Sequence, residues 1–295
     1  MKTATIVKPK IKLKKPLIGF IGQGFIGKNY ADDFESRKYP VLRYSLDKQF
    51  LANKDKIRDC DIVFIAVPTP STPEGFDDSI IRSVMKLIGK GKTAVIKSTI
   101  VPGTTESIQK QNPNIYVLHS PEFLTEKTAR EDATHPNRNI VGIPISNDEF
   151  RGKAEAVISV LPRAPYSVVT QARNAELTKY GGNIWFYFKV IYMNMLYDLS
   201  AKVGADFEAI REAMAADPRI GYSHLNPVHQ GGRGAGGHCF IKDFAAFAEI
   251  YEREMKDPLG DDVLKALAQK NISLLLKSHK DTDLLKGVYG AEIGK

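Results

Sequence analysis

The amino-acid sequence predicts an α/β protein in two parts: a doubly wound sheet over residues 16–170, then an all-helical part over 171–295 built on one long helix. Three observations carry this expectation. Apolar runs of strand length at residues 17–21, 61–67, 93–99 and 115–118 are each followed by turn residues, with helical stretches between them, the alternation that builds a parallel sheet. The first run leads directly into Gly22-Gln23-Gly24-Phe25-Ile26-Gly27, a strand, tight turn and helix start of the Rossmann-like kind that receives a dinucleotide pyrophosphate. Residues 174–203 then carry an unbroken helical pattern that stops at Gly204, a residue suited to the left-handed end of a helix.

Composition narrows the function classes. Apolar residues make up 43% of the 295, ordinary for a globular protein. No apolar run approaches the ~20 residues that cross a bilayer and no secretory leader pattern opens the chain, so a cytoplasmic protein with no membrane partner is expected. The two cysteines, Cys60 and Cys239, lie far apart without His or Cys partners at ligand spacing, which argues against a disulfide framework or a metal site. The net charge of +8 owes much to Lys8, Lys10, Lys12, Lys14 and Lys15. Without an aromatic platform or recognition motif, residues 1–15 read as a solvated basic lead-in and not as a nucleic-acid arm. The remaining positive excess suits an anionic, phosphorylated substrate.

Gly22, Gly24, Phe25, Ile26 and Gly27 are the candidate pyrophosphate contacts, with a helix over 28–37 and a second strand over 41–46 behind them. Ser45 and Asp47 fall where an acidic residue meets the adenosine ribose; Asp47 is either that ligand or a solvated residue past the strand. The short polar segment 48–58 leaves room only for a stunted helix before the strand at 61–67, which ends in Pro68-Thr69-Pro70. A helix over 79–88, the strand at 93–99 and the turn Val101-Pro102-Gly103-Thr104-Thr105 into another helix follow. Ligands of doubly wound sheets bind at the carboxyl ends of strands. Pro68, Thr69, Ser98 and Thr99 should therefore face cofactor or substrate, unless the threonines serve as turn caps. The strand at 115–118 leads into Ser120-Pro121-Glu122-Phe123-Leu124-Thr125-Glu126. If that segment turns helically, Glu122 and Glu126 point to one side as an acid/base pair; otherwise they are solvated. Strands at 140–143 and 166–169, with an amphipathic helix near 151–161, close the sheet.

The helix over 174–203 would be about 45 Å long at ~1.5 Å per residue. Its Trp185, Phe186, Tyr187, Phe188, Ile191, Met193, Met195 and Leu196 require cover, as core or as a dimer seam. Lys179 and Asn183, four apart, share a face, and Gly181 and Gly182 between them weaken the helix unless something approaches closely there. A short helix over 207–215 leads through Asp217-Pro218-Arg219-Ile220-Gly221 to the run Gly231-Gly232-Arg233-Gly234-Ala235-Gly236-Gly237-His238-Cys239-Phe240-Ile241-Lys242-Asp243. A thiol at the end of a glycine run, where backbone N–H groups are free to bind oxyanions, reads as a nucleophile. Helices are expected again over 244–251 and 262–278, and the last residues are weakly patterned.

Taken together and in order, these motifs resemble the UDP-glucose/GDP-mannose dehydrogenase family of nucleotide-sugar 6-dehydrogenases. The residues that carry the resemblance are the glycine turn at 22–27, Lys97-Ser98-Thr99 with Pro102-Gly103-Thr104-Thr105, and Pro121-Glu122-Phe123-Leu124. It continues in Ala175-Glu176-Leu177-Thr178-Lys179-Tyr180 with Asn183, the Asp217–Gly221 motif, and Gly236-Gly237-His238-Cys239-Phe240-Ile241-Lys242-Asp243. The resemblance implies NAD as cofactor, a UDP-sugar substrate (UDP-glucose going to UDP-glucuronate before others) and a homodimer through helix 174–203. It also implies a four-electron oxidation of the sugar C6 hydroxyl, in which Cys239 attacks the intermediate aldehyde and the resulting thioester is hydrolysed. Under it, Lys179 and Asn183 stabilise charge on the reacting oxygen, Asp243 positions water or moves a proton, Glu122 is the base for hydrolysis, and Thr99 holds the water network. Glu126, Gly236 and Gly237 belong to the substrate site, and Arg219 reaches the neighbouring subunit's substrate.

The sequence departs from that family in several places. Ser45 stands where an acid is usual, Ala235 where an aromatic is usual and Ile241 where proline is frequent. The chain stops where the family continues into a second Rossmann-like, nucleotide-holding domain. Two other readings stay open: a two-electron hydroxyacid-type dehydrogenase on the same architecture, and a catalytically silent nucleotide-binding or assembly protein.

Overall fold

The computed structural model describes residues 15–293; Lys8, Lys10, Lys12 and Lys14 of the basic lead-in lie outside the described residues. Short apolar runs form β1 (Ile18–Ile21), β2 (Val41–Tyr44) and β3 (Ile62–Ile65), with α1 (Phe25–Ser36) crossing from β1 to β2. The segment between β2 and β3 holds the expected stunted helix, α2 (Lys48–Leu51), and a 3₁₀ turn over Lys54–Asp59. A hairpin of β4 (Ser71–Thr72) and β5 (Gly75–Phe76) precedes α3 (Ser79–Met85). Then come β6 (Thr93–Ile96), α4 (Thr104–Gln111), β7 (Tyr116–His119) and α5 (Ala129–Thr134). β8 (Arg138–Ile143), α6 (Asp148–Val160) and β9 (Tyr166–Gln171) end this part.

The sheet runs β2-β1-β3-β6-β7-β8-β9. Its pairs are parallel except β7 with β8, which meet antiparallel at His119 and Gly142. Phe20, Phe34 and Phe64 pack on one face, and Ile21, Val63, Ile65 and Ile96 on the other, which is why the strands read as continuous apolar runs. The chain passes from β1 out to β2 and back past β1 to β3, so the loops diverge at the carboxyl edge between them, where such sheets bind ligands.

The second part is helical. α7 (Ala172–Val203) spans 32 residues and ends on Gly204 at φ 72°, two residues earlier at its start than the sequence suggests. α8 (Phe207–Ala215), a small hairpin of β10 (Val228–His229) and β11 (Gly232–Arg233), α9 (Gly237–Met255), α10 (Pro258–Lys277) and α11 (Thr282–Tyr289) follow. Among the described residues no helix is long and apolar enough to cross a membrane.

Several expectations are corrected. α1 starts at Phe25 instead of 28. α9 begins at Gly237, well before Asp243, because Ile241 and Phe244 already lie at helical spacing and are buried against other helices. The weakly patterned end forms α11, whose Leu285 is fully buried in a cluster with Ile241 and Leu275. Of the two alternatives at Gly181 and Gly182, the structure has the one in which nothing approaches closely: a Cβ on Gly181 would meet nothing within 4 Å, and one on Gly182 only Arg138 at 3.9 Å. The apolar side chains of α7 divide. Tyr187, Ile191 and Met193 are buried, while Trp185, Tyr192, Met195 and Leu199 are more than half exposed along one stripe.

Two contacts fasten α7 to the sheet. A Cβ on Gly142 would lie 2.8 Å from Ala172 Cα, so glycine lets β8 and the start of α7 touch. One turn further on, the fully buried Glu176 carboxylate accepts hydrogen bonds from Gly103 N (2.7 Å), Thr105 N (2.9 Å) and Thr105 Oγ1 (2.6 Å). It caps α4 from across the fold, because Gly103 cannot do so itself.

Candidate active site

At the cofactor edge, the glycines answer to sterics. Gly22 has φ 90°, and a Cβ on it would lie 2.3 Å from Ala66 O; one on Gly27 would lie 1.9 Å from Gly22 O. α1 is therefore seated hard against the turn. Gly24, its N-cap, has open space around it, no side chain caps this helix end, and no acidic residue occupies its first turn. The N–H groups beginning at Phe25, Ile26 and Gly27 thus offer an uncapped positive end that fits a pyrophosphate. Ser45 Oγ donates to Asp47 Oδ2 at 2.8 Å just past β2, and Asp47 is exposed. Pro68 is exposed at the end of β3. Thr69 Oγ1 donates to Thr99 O (2.8 Å) and Ser98 Oγ to Val67 O (2.7 Å), so both hydroxyl protons serve to bind neighbouring loops together.

The chemistry-bearing side chains meet beside β7. Lys179, on α7, donates to Glu122 Oε1 at 2.7 Å, with the two side chains 6% and 4% exposed. The other oxygen of Glu122 accepts from Leu124 N at 2.7 Å. One turn along α7, Asn183 donates to Asp243 Oδ2 at 2.6 Å, and Lys242 pairs with the other oxygen of Asp243. Asp243 is buried and lies one turn after Cys239 on α9. Burial works against the Lys179 charge, yet Glu122, Asp243 and Cys239 together hold it above the usual lysine range. Lys179 is thus held as a cation paired with Glu122 and within electrostatic range of the thiol.

Cys239 is open to solvent and occupies the first turn of α9, whose N-terminus favours a thiolate. Its thiol still lies deep enough among other groups for desolvation to raise its pKa. Lys179 opposes that rise, while Asp243 and Glu122 add to it. Burial and the two carboxylates therefore favour the thiol over the thiolate.

The expected helical pairing of Glu122 with Glu126 is not found. Pro121 to Thr125 adopt no regular structure, so Glu122 turns inward to Lys179. Glu126 stays exposed, accepting from Gln230 Nε2 at 3.1 Å and lying 3.8 Å from a Cβ built on Gly237. Glu126, Gly236 and Gly237 therefore share one rim. Thr99 is buried at 8% exposure. Arg219 lies outside the cluster: its side chain is 88% exposed and paired with Asp217.

Sequence reasoning missed a buried layer behind the ion pair. Lys97, 3% exposed, donates to Ser120 Oγ at 3.2 Å and sits 4.3 Å over the Tyr30 ring. Desolvation pulls its pKa down to about 7, helped by Lys179 and opposed by Glu122. His119 beside it is fully buried and pulled down to about 3, by desolvation and Lys97, so it is neutral. The available signal was a lysine closing an apolar strand run.

Comparison with known proteins fits this geometry. Residues 41–155 match the NAD-binding domain of the UDP-glucose/GDP-mannose dehydrogenase family, and residues 173–271 match its central domain. The first match begins after the glycine turn. The chain is 30% identical over 286 residues to a UDP-glucose 6-dehydrogenase of Rickettsia typhi, covering 86% of this chain and 64% of that protein. It spans 46% to 64% of the length of this and other first-ranked curated relatives. A UDP-glucose dehydrogenase structure from Pyrobaculum islandicum is similar in fold at TM-score 0.75 and 24% identity, over 92% of this chain and 72% of that one. A Mycobacterium tuberculosis 3-hydroxyisobutyrate dehydrogenase shares the fold at TM-score 0.67 and 14% identity, over 94% and 99%. With both domain models matched in order and the cofactor edge built as an NAD-binding domain requires, the chain belongs to the UDP-glucose/GDP-mannose dehydrogenase family.

Proposed function

We propose that the protein is an NAD-dependent dehydrogenase that oxidises the C6 hydroxyl of a nucleotide sugar to a carboxylate, with UDP-glucose going to UDP-glucuronate as the first substrate to test. The observation that carries this reading is the solvent-open Cys239 one turn from the buried Asp243, with the cation of Lys179 acting on both. A hydroxyacid dehydrogenase needs the cation but has no use for the thiol. Bound NAD supplies the hydride acceptor. Overall, RCH₂OH, two NAD⁺ and water give RCOO⁻, two NADH and three H⁺.

In this reading residues 16–170 form the nucleotide-binding domain and 171–295 the helical domain. Lys179 and Asn183 stabilise negative charge on the C6 oxygen, first as the alcohol loses its proton and again in the tetrahedral thiohemiacetal. Cys239 Sγ adds to the aldehyde carbon as its proton passes to a neighbouring base. Loss of the second hydride leaves a thioester. Glu122 takes the proton of the attacking water, Asp243 and Thr99 orient that water, and Cys239 leaves as the thiol. Glu126, Gly236 and Gly237 hold the substrate rim, and Arg219 serves the second subunit of a homodimer. The exposed Trp185, Tyr192, Met195 and Leu199 on α7 support that dimer seam. Asp47 or Ser45 holds the ribose. The protein works in the cytoplasm without nucleic-acid or membrane partners.

The test is NADH formed per sugar consumed: two for the native chain, and one or fewer for Cys239→Ser, which stalls at the aldehyde. A native ratio of one, with activity retained in Cys239→Ala, would establish instead the two-electron reading that the full-length fold match to 3-hydroxyisobutyrate dehydrogenase favours.

A further inference from the structure

The helix that carries Cys239 begins without a cap of its own. Its N-cap is Gly236, which has no side chain, at φ −102° and ψ −164°. A side chain there would displace the Asp281 carboxylate, because a Cβ on Gly236 would lie 2.0 Å from Asp281 Oδ2. That same oxygen accepts a hydrogen bond from Gly237 N, the first residue of α9, at 2.7 Å. The capping carboxylate thus comes from 44 residues further along the chain, where Asp281 takes a left-handed conformation at φ 53° before α11. Aspartate tolerates this better than most residues.

Its neighbours bind the same loop. Ser278 Oγ accepts from Arg233 N at 3.0 Å, and Lys280 Nζ donates to Gly234 O at 3.3 Å. Asn271 brackets Ala235, accepting from its N at 2.7 Å and donating to its O at 3.0 Å. Arg233, Gly234 and Gly237 are held from the α10–α11 corner, and Ala235 from Asn271 within α10. Gly232 is pressed against Lys280, whose Cβ would lie 2.7 Å from a Cβ there. A glycine run left to itself samples many conformations; this one is templated from outside, by residues 278–281 beyond the matched central domain.

We propose that residues 278–281 form a strap that sets the position of the Cys239 turn, and that Asp281 is a positioning residue for the nucleophile, acting as a cap supplied to α9 from a distant part of the same chain. The proposal rests on Cys239 being the nucleophile only for its catalytic consequence; the strap itself can be read without turnover.

The experiment compares Asp281→Ala and Asp281→Asn in the full chain by three measurements. Native-state hydrogen exchange of the peptide spanning 231–240, and alkylation of Cys239 by iodoacetamide, need no substrate. Steady-state turnover with NAD and UDP-glucose reads catalysis. Asp281→Ala should speed exchange at Gly237 about tenfold or more, change the alkylation rate several-fold, and lower kcat at least tenfold with KM for NAD within twofold. Asp281→Asn keeps an acceptor oxygen and should restore all three to near the native values, which a merely space-filling role would not require. Exchange and alkylation within twofold of native in Asp281→Ala would overturn the proposal. Altered exchange with no turnover in the native chain would sink the functional reading and leave the strap standing. Should Asp281→Ala fail to fold, Gly236→Ala probes the same contact by driving a Cβ into Asp281. Native exchange at Gly237 in a folded Gly236→Ala would likewise overturn it.

Discussion

The Lys179–Glu122 pair gives the most direct measure of the site's internal forces. Both side chains are almost wholly buried and the N–O distance is 2.7 Å, so removing one partner leaves a buried charge without its counter-ion. Such losses run to about 3–5 kcal/mol. Glu122 keeps its second donor, Leu124 N at 2.7 Å, which places Lys179→Met at the lower end, about 3 kcal/mol. Glu122→Gln leaves the buried ammonium with an amide oxygen and should cost about 2 kcal/mol. The double variant carries no buried charge at this position and should cost about 2–3 kcal/mol, well short of the sum. The coupling energy is then about 2 kcal/mol or more. Urea unfolding at pH 7, followed by far-UV circular dichroism on all four proteins, measures it. Additivity within about 0.5 kcal/mol would refute the argument, because independent losses mean that the two charges do not meet in the folded protein.

Three further outcomes follow from the same structure. Lys97 has its folded pKa pulled from the ordinary lysine value down to about 7. Between about pH 7 and the unfolded value near 10.5 the unfolded chain holds the extra proton, so Lys97 adds a rise of stability with pH over that window; Lys97→Met should flatten that rise in urea titrations at pH 7 and 10. Gly27→Ala places a methyl 1.9 Å from Gly22 O and should weaken NAD binding at least tenfold by calorimetry, or cost more than about 3 kcal/mol if the helix cannot shift. Trp185→Glu combined with Tyr192→Glu puts two charges on the exposed stripe of α7; in sedimentation the proposed homodimer should give way to a single chain, with the far-UV spectrum unchanged, and a native protein that sediments as a single chain would refute the seam.

Much of this was legible in the chain because the physics there is local. Strand runs buried on both faces, glycines pressed against Ala66 O and Gly22 O, and a helix stop at Gly204 all leave a mark in a few consecutive residues. Lys179, Asn183, Glu122 and Asp243 were readable as a set only by resemblance; the pairing of Lys179 with Glu122 and of Asn183 with Asp243 joins segments 57 and 60 residues apart. Glu122 and Glu126 show the limit of spacing as a guide, since four-residue separation aligns side chains only inside a helix and this segment is not one. The glycine run misled for a related reason. Its conformation is imposed by Asn271, Ser278, Lys280 and Asp281, and nothing within the run itself records them.

Glu176 and Lys179 stand three residues apart on α7, each tied to a different loop at the carboxyl edge of the sheet. The start of that long helix is thereby registered to the frame that holds the cofactor. Cys239 and Asp243 ride on α9, which meets that frame through Ser71 and meets α7 through Asn183. A shift of α9 along its axis would therefore change the distance between thiol and ammonium, while Lys179 would keep its place relative to the carboxyl edge of the sheet. Under the proposed mechanism, hydride transfer depends on the part anchored to the sheet and sulfur attack on α9, so substitutions along α9 should alter the second rate without the first.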